Sequence, residues 1–257
     1  MIHPTAIVDP SAKLHESVTV GPYSIIEENV EIGEGSEIES CVRIYANVKI
    51  GKSNKFYHNT GIGSDPQHLN FDQKTKTILE IGDGNVFREG VYVARGTYTD
   101  SIMKIGNHNY LMNNTHIGHD CSIGDYSVFA TGAAVGGHVA IGNYVFISGL
   151  VAIHQFCNIG DYGMAAGLGK ITNDLPPYCT ADGNPALIIG VNAVGLRRAG
   201  FSSETRKEIQ NAYKLIYRSG LVTSKAVEKL KEQKNSPEVE KIIDFIDASK
   251  RGIIDHV

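Results

Sequence analysis

From Ile2 onward a large apolar side chain returns at every sixth residue, through Val8, Leu14, Val20, Ile26, Ile32, Ile38, Ile44, Ile50 and Phe56 to Ile62. The register resumes at Ile81 and runs through Phe87, Val93, Thr99, Ile105, Leu111, Ile117, Ile123, Phe129, Val135, Ile141, Ile147, Ile153, Ile159 and Ala165 to Ile171, broken only by Thr99 and Ala165. Glycine often follows the apolar residue, as at Gly21, Gly33, Gly118 and Gly142, and four places on stands a mainly small residue such as Ala12, Val18, Cys121 or Ala133. A period of six is neither the 3.6 of a helix nor the 2 of a flat strand, so either would scatter these side chains over its surface. Short strands joined by tight corners keep them inside. Three hexads close a triangular coil of about 18 residues, and coils stacked at roughly 4.8 Å pair each backbone with the next. The pattern predicts a parallel β-helix of about nine coils over residues 1–190, with an apolar lumen.

Two polar excursions interrupt the coil, Ser64 to Leu79 and Ala94 to Lys104, and loops ejected from a rigid solenoid commonly line binding clefts. Past Ile171, Asn173-Asp174-Leu175-Pro176-Pro177 predicts an exit carrying neither helix nor ladder. A helical region follows over 191–257. Ile209, Ala212, Tyr213, Ile216 and Tyr217 form a stripe ending before Gly220, and Ser236-Pro237 opens a last helix through Ile246 that ends near Gly252.

The chain of 257 residues carries 24 basic and 28 acidic side chains, which argues against a nucleic-acid partner. Cys41, Cys121, Cys157 and Cys179 lack paired spacing, the N-terminus lacks a leader pattern, and no apolar run is long enough to span a bilayer. A reduced, cytoplasmic setting is expected.

Coil geometry turns sequence distance into proximity. Residues 18 apart stack, so His119, Gly137 and Gln155 form one vertical row, flanked by Asp120 and His138. A histidine, a carboxylate, a bare glycine backbone and an amide on one patch suit acyl transfer, which needs a base titrating near neutrality and donors for a developing oxyanion. Cys121 and Cys157 sit at core-filling corner positions, so direct transfer without a covalent enzyme intermediate is the simpler expectation.

The motifs Thr115-His116-Ile117-Gly118-His119-Asp120-Cys121, Gly137-His138-Val139, His154-Gln155-Phe156-Cys157 and Asp182-Gly183-Asn184-Pro185, with Asn211 to Gly220 in the tail, resemble the UDP-N-acetylglucosamine O-acyltransferases that begin lipid A synthesis. The resemblance spans nearly the whole chain. It implies a left-handed β-helix and a cytoplasmic homotrimer that moves an (R)-3-hydroxyacyl group from acyl carrier protein to the 3-position of a UDP-amino sugar. No cofactor is implied beyond the carrier's phosphopantetheine arm, and no metal. His119 matches the general base, Asp120 its orienting carboxylate and the Gly137 N–H the oxyanion donor. Adjacent strand residues point oppositely, so the Asp120 contact requires a corner or a neighbouring subunit. Gln67, His116, His138, His154 and Gln155 match substrate-lining positions, Asn192 and Arg198 positions at the nucleotide-phosphate end, and Gly167 the position that limits acyl-chain length. Its missing side chain implies a long 3-hydroxyacyl donor. His68-Leu69-Asn70 and Val194 depart from the common pattern and leave the acceptor open between UDP-N-acetylglucosamine, giving an ester, and its 3-amino analogue, giving an amide.

Charge adds a partner argument. Residues 192–218 hold six basic groups against two acidic ones, while residues 1–191 hold 11 against 19. Such a field suits steering of an acidic carrier protein. Three other readings use the same coil: a zinc lyase of the γ-class carbonic anhydrase type with His116, His119 and His138 as ligands, an acetyl-CoA-dependent acetyltransferase, and a non-catalytic solenoid.

Overall fold

The computed structural model describes residues Met1–Val257. From Ile7 to Ile171 the backbone runs through short parallel strands that visit three sheets in strict rotation. We call these face I (Ile7–Val8 and the strands above it), face II (from Lys13–Leu14) and face III (from Thr19–Val20). Each strand pairs with its counterpart one coil on, 18 residues away in the plain coils, as in Val8 with Ile26 and Ile117 with Val135. The second residue of each two-residue strand points inward, giving the rows of isoleucine and valine on all three faces. Face III adds bulk: the rings of Phe56 and Phe87 stack at 4.8 Å. Burial of one continuous lumen supplies the hydrophobic stabilisation that lets strands of two residues persist.

Many corners impose a left-handed backbone on one residue, including Asn29, Asn47, Asn114, Asp120, His138 and Phe156, with φ between 56° and 67°. Asparagine and aspartate tolerate that conformation best among residues with a Cβ. A polar ladder runs inside the II–III edge. The Asn85 Oδ1 accepts from the Asn109 N–H and Nδ2 at 2.9 and 3.1 Å, and its Nδ2 donates to the Asn54 Oδ1 and the Gly106 carbonyl. These amides satisfy corner backbone groups that no strand can reach.

Several expectations change here. Ile81 pairs with Ile50 and with Ile105, so the inserted segments are 65–77 and 95–101, both shorter than expected. Ser64, Ile78 and Ile102 to Lys104 are strand, while Thr99 is an exposed loop residue outside the lumen. A loop that happens to be six residues longer than a plain corner preserves the apparent register. The coil also continues past Ile171. Leu175 is fully buried and bridges Ile159 in parallel, its N–H donating to the Asn158 carbonyl, because the prolines follow it and leave its own N–H free. Cys179–Gly183 then pairs with Met164–Ala165 and turns back antiparallel as Ala186–Val191, capping the lumen.

Four helices follow: α1 (Ala193–Arg198), α2 (Ser203–Arg218), α3 (Thr223–Lys231) and α4 (Pro237–Ala248). The apolar stripe of α2 packs as expected, with the Tyr213 hydroxyl donating to the Pro177 carbonyl at 2.6 Å. The last helix stops at Ala248, ahead of Gly252, since Ser249 turns extended and its hydroxyl donates to the buried Asp174 carboxylate. The short α1 and α3 escape the sequence pattern; six and nine residues display too little periodicity.

Candidate active site

The I–II edge gathers most of the chemistry, because both loops and three successive corners emerge there. Segment 65–77 leaves after Ser64 on face I and returns at Ile78 on face II; segment 95–101 does the same one coil higher. Above them come the corners at His119-Asp120, Gly137-His138 and Gln155-Phe156. The expected vertical row is real: the His138 N–H donates to the His119 carbonyl at 2.8 Å, and the Phe156 N–H to the Gly137 carbonyl at 3.0 Å.

His119 Nδ1 lies 2.8 Å from Asp120 Oδ2 within one chain. The corner solves the orientation problem. At φ 57° the Asp120 backbone abandons strand alternation, and its side chain swings back beside its neighbour. Asp120 is also held by Thr97, whose hydroxyl donates at 2.6 Å and whose N–H donates at 3.0 and 3.2 Å. Burial pushes the Asp120 carboxyl up, yet the bonds from Thr97 and His119 outweigh it and hold it below its ordinary value. An ionised carboxylate only accepts, so the proton of the imidazole sits on Nδ1 and leaves the Nε2 lone pair facing outward.

That nitrogen hangs over Gly137. A Cβ added there would lie 2.6 Å from both Cε1 and Nε2 of His119. The Gly137 N–H donates to no protein acceptor. His138 flanks the pair, its ring perpendicular to that of His119 at 5.0 Å and stacked on Phe156 at 4.6 Å. Burial lowers the His138 pKa, with Asp120 opposing and His119 adding; burial and then His119 lower that of His116 on the adjoining face I strand. Cys121 is buried behind the corner with its thiol pushed up to about 12, which removes it as a nucleophile.

The remaining residues divide by edge. Gln67 lies exposed on the first loop, and His154 and Gln155 are exposed at the I–II corner one coil above Gly137-His138. Gly167 lies on the III–I edge, where an added Cβ would meet only the Gly149 carbonyl at 3.6 Å. Asn192 sits at the II–III edge, capping α1 through Gly195 and donating to the Tyr162 carbonyl at 3.0 Å. Arg198 is exposed at the end of the same helix. Within one chain, therefore, neither Gly167 nor the Asn192 and Arg198 pair shares an edge with His119.

The metal-type groups that converge are His119, Asp120 and His138, within 4.8 Å of one another. His116 is not among them, contrary to the lyase ligand set, because its strand position aims it along face I. Sequence reasoning also missed Thr97 and His68. Thr97 falls in a loop whose path no repeat dictates; His68, whose ring meets that of His119 at 6.1 Å, was visible only as a departure beside Gln67.

Comparison with known proteins bears on the whole chain. A family model described as the second domain of UDP-N-acetylglucosamine O-acyltransferase matches residues 174–254, and one for six-repeat bacterial transferase hexapeptides matches 11–46 and 103–137. The acyl-[acyl-carrier-protein]–UDP-N-acetylglucosamine O-acyltransferase of Halorhodospira halophila is 44% identical over 255 residues, 98% of each chain. That of a Janthinobacterium strain is 43% identical over 260 residues, 99% of each. Among solved structures, the UDP-N-acetylglucosamine O-acyltransferase of Moraxella catarrhalis superposes with a TM-score of 0.95 at 44% identity, covering 98% of this chain and 99% of the other. The Francisella novicida UDP-N-acetylglucosamine acyltransferase gives 0.96 at 37%, covering 99% and 94%. The coil is accordingly left-handed.

Proposed function

We infer the following chemistry from the premise that this chain belongs to the acyl-[acyl-carrier-protein]–UDP-N-acetylglucosamine O-acyltransferase family. It is an acyltransferase that moves a 3-hydroxyacyl chain from acyl carrier protein to the 3-position of the UDP-sugar, the first step of lipid A biosynthesis. His119 Nε2 takes the proton of the sugar 3-hydroxyl as that oxygen attacks the thioester carbonyl. Asp120 holds the imidazole in the required tautomer and stabilises the imidazolium. The Gly137 N–H donates to the oxyanion of the tetrahedral intermediate. Collapse expels the phosphopantetheine thiolate, which recovers the proton from His119. The observation that carries this reading is the 2.8 Å bond from His119 to Asp120 with Nε2 left over the bare Gly137 backbone.

Gln67, His116, His138, His154 and Gln155 line the acceptor and acyl positions in this reading, Asn192 and Arg198 meet the nucleotide phosphates, and Gly167 leaves room for a long chain. These groups occupy three different edges of one prism, so a single chain does not assemble them. A homotrimer with parallel coils brings an edge of one chain against a neighbour's and supplies the missing walls. No helix is long and apolar enough to cross a membrane. The family resemblance is what supports placing the trimer in the cytoplasm, with no cofactor of its own. The basic run on α1 and α2 suits an acidic carrier protein.

The deciding experiment is a mass-spectrometric assay with 3-hydroxyacyl carrier proteins of several lengths, acetyl-CoA, and both UDP-N-acetylglucosamine and its 3-amino analogue. Transfer from the carrier protein alone supports the reading, and the product mass assigns ester or amide. His119→Ala should lose roughly 10²- to 10⁴-fold in turnover. Near-normal turnover would remove His119 from the mechanism. Light scattering at three times the chain mass tests the trimer, and stoichiometric zinc lost together with activity on chelation would favour the lyase instead.

A further inference from the structure

The insert 95–101 touches both the substrate loop and the catalytic corner. At one end Arg95, with only 13% of its side chain exposed, pairs with Asp65 at 2.9 Å. It also donates to the carbonyls of Thr75 and Gln73 and lies over the Phe71 ring at 4.9 Å. Four points of segment 65–77 are thus tied to one guanidinium, whose planar fork suits several acceptors at once. Two residues on, Thr97 grips Asp120 with its hydroxyl and its N–H. Gly96 between them has no room for a side chain, since a Cβ would lie 2.4 Å from Ser101 Oγ and 2.9 Å from Asp120 Oδ1. The two loops are further joined by the Asp100 N–H to the Lys76 carbonyl at 2.8 Å and the Ile78 N–H to the Ser101 carbonyl at 3.0 Å.

We propose that Arg95-Gly96-Thr97 is a positioning unit, in which Thr97 fixes Asp120 for its work on His119 while Arg95 fixes the loop that presents Gln67 and His68. The inference rests on His119 being the general base. Thr97 touches no reacting atom; it acts by denying Asp120 alternative orientations. Arg95 acts by ordering a segment that otherwise lacks regular secondary structure, so its effect falls on acceptor binding. The charged and titratable groups facing the His119 imidazole are Asp120 and His116 of its own coil, His138 of the next and His68 of the first loop, with Tyr98 of the second loop set against His138.

Thr97→Val is nearly isosteric and removes only the hydroxyl bond. Asp120, freed of that anchor, then holds the imidazolium less well. We expect kcat to fall roughly tenfold or more, as for a lost hydrogen bond to a charged group, with KM for the UDP-sugar little changed. The acidic limb of the kcat/KM profile should move to lower pH, because a less stabilised imidazolium gives up its proton more readily. Thr97→Ser should restore both. Arg95→Met should raise KM for the UDP-sugar by a larger factor than it lowers kcat, and Arg95→Lys, which keeps charge but loses the fork, should do the same if Arg95→Met fails to fold by circular dichroism. A Thr97→Val enzyme within twofold of wild type, or one slowed with no displacement of the pH limb, overturns the proposal, as does an unchanged acceptor KM in a folded Arg95 variant. His119→Ala measured alongside separates the failures: if it retains activity the general-base reading falls, whereas if it is inactive and Thr97→Val is normal, only the positioning role falls.

Discussion

Gly137→Ala isolates the geometry on which the chemistry depends. The added Cβ would meet Cε1 and Nε2 of His119 at 2.6 Å and Cδ2 at 3.1 Å, against 3.4 Å for ordinary contact. The ring must therefore retreat by about 0.8 Å (3.4 less 2.6), and it can do so only by tilting on its Asp120 bond. A misplacement on the order of 1 Å at a reacting group costs roughly 10²-fold. The backbone N–H at position 137 remains in place, so the oxyanion donor is not the group removed. Folding should be spared, because the imidazole stands at an edge and yields toward solvent; a cost within about 1 kcal/mol is expected. The assay is the initial rate of transfer from a 3-hydroxyacyl carrier protein to the UDP-sugar, measured for wild type, Gly137→Ala, His119→Ala and the double variant. With the imidazole already gone the methyl has nothing to displace, so Gly137→Ala should add little in the His119→Ala background. An equal loss in both backgrounds would refute displacement of the base as the cause, and a Gly137→Ala enzyme as fast as wild type would refute the geometry itself.

Further expectations concern stability and specificity. Asn85→Ala strands the Asn109 amide and the Gly106 carbonyl inside the II–III edge, and several buried groups at about 1–3 kcal/mol each predict a large fall in the urea midpoint. Burial lowers the pKa of His116 in the fold, so the unfolded chain takes up the proton first; stability is full above the ordinary value of 6.5 and declines as pH falls below it. His116→Gln should flatten the difference between thermal midpoints taken on either side of that value, a decrease that wild type should show on acidification. Gly167→Met projects into open space beyond the 3.6 Å contact with Gly149, so the thermal midpoint should hold while mass spectrometry shows preference moving to shorter acyl chains. A fall in stability without a change of chain length would count against its role in the acyl site.

The apolar register by itself determined the coil, its three faces and the stacking of His119 below Gly137, because a period of six leaves one way to bury a continuous row of isoleucine and valine. It also located α2 and α4, whose stripes are long enough to read. What it did not carry was anything set by side chains meeting across inserts. Thr97 and Arg95 lie in a loop with no repeat, and their partners Asp120, Thr75 and Gln73 are distant in sequence; only the folded path brings them together. Thr99 kept the register by accident of loop length, and Leu175 re-entered the ladder after it had seemed to end. The meeting of His119 with Asp120 was likewise left to the tertiary structure, since a left-handed corner residue, against the alternation of a strand, decides which way that carboxylate points.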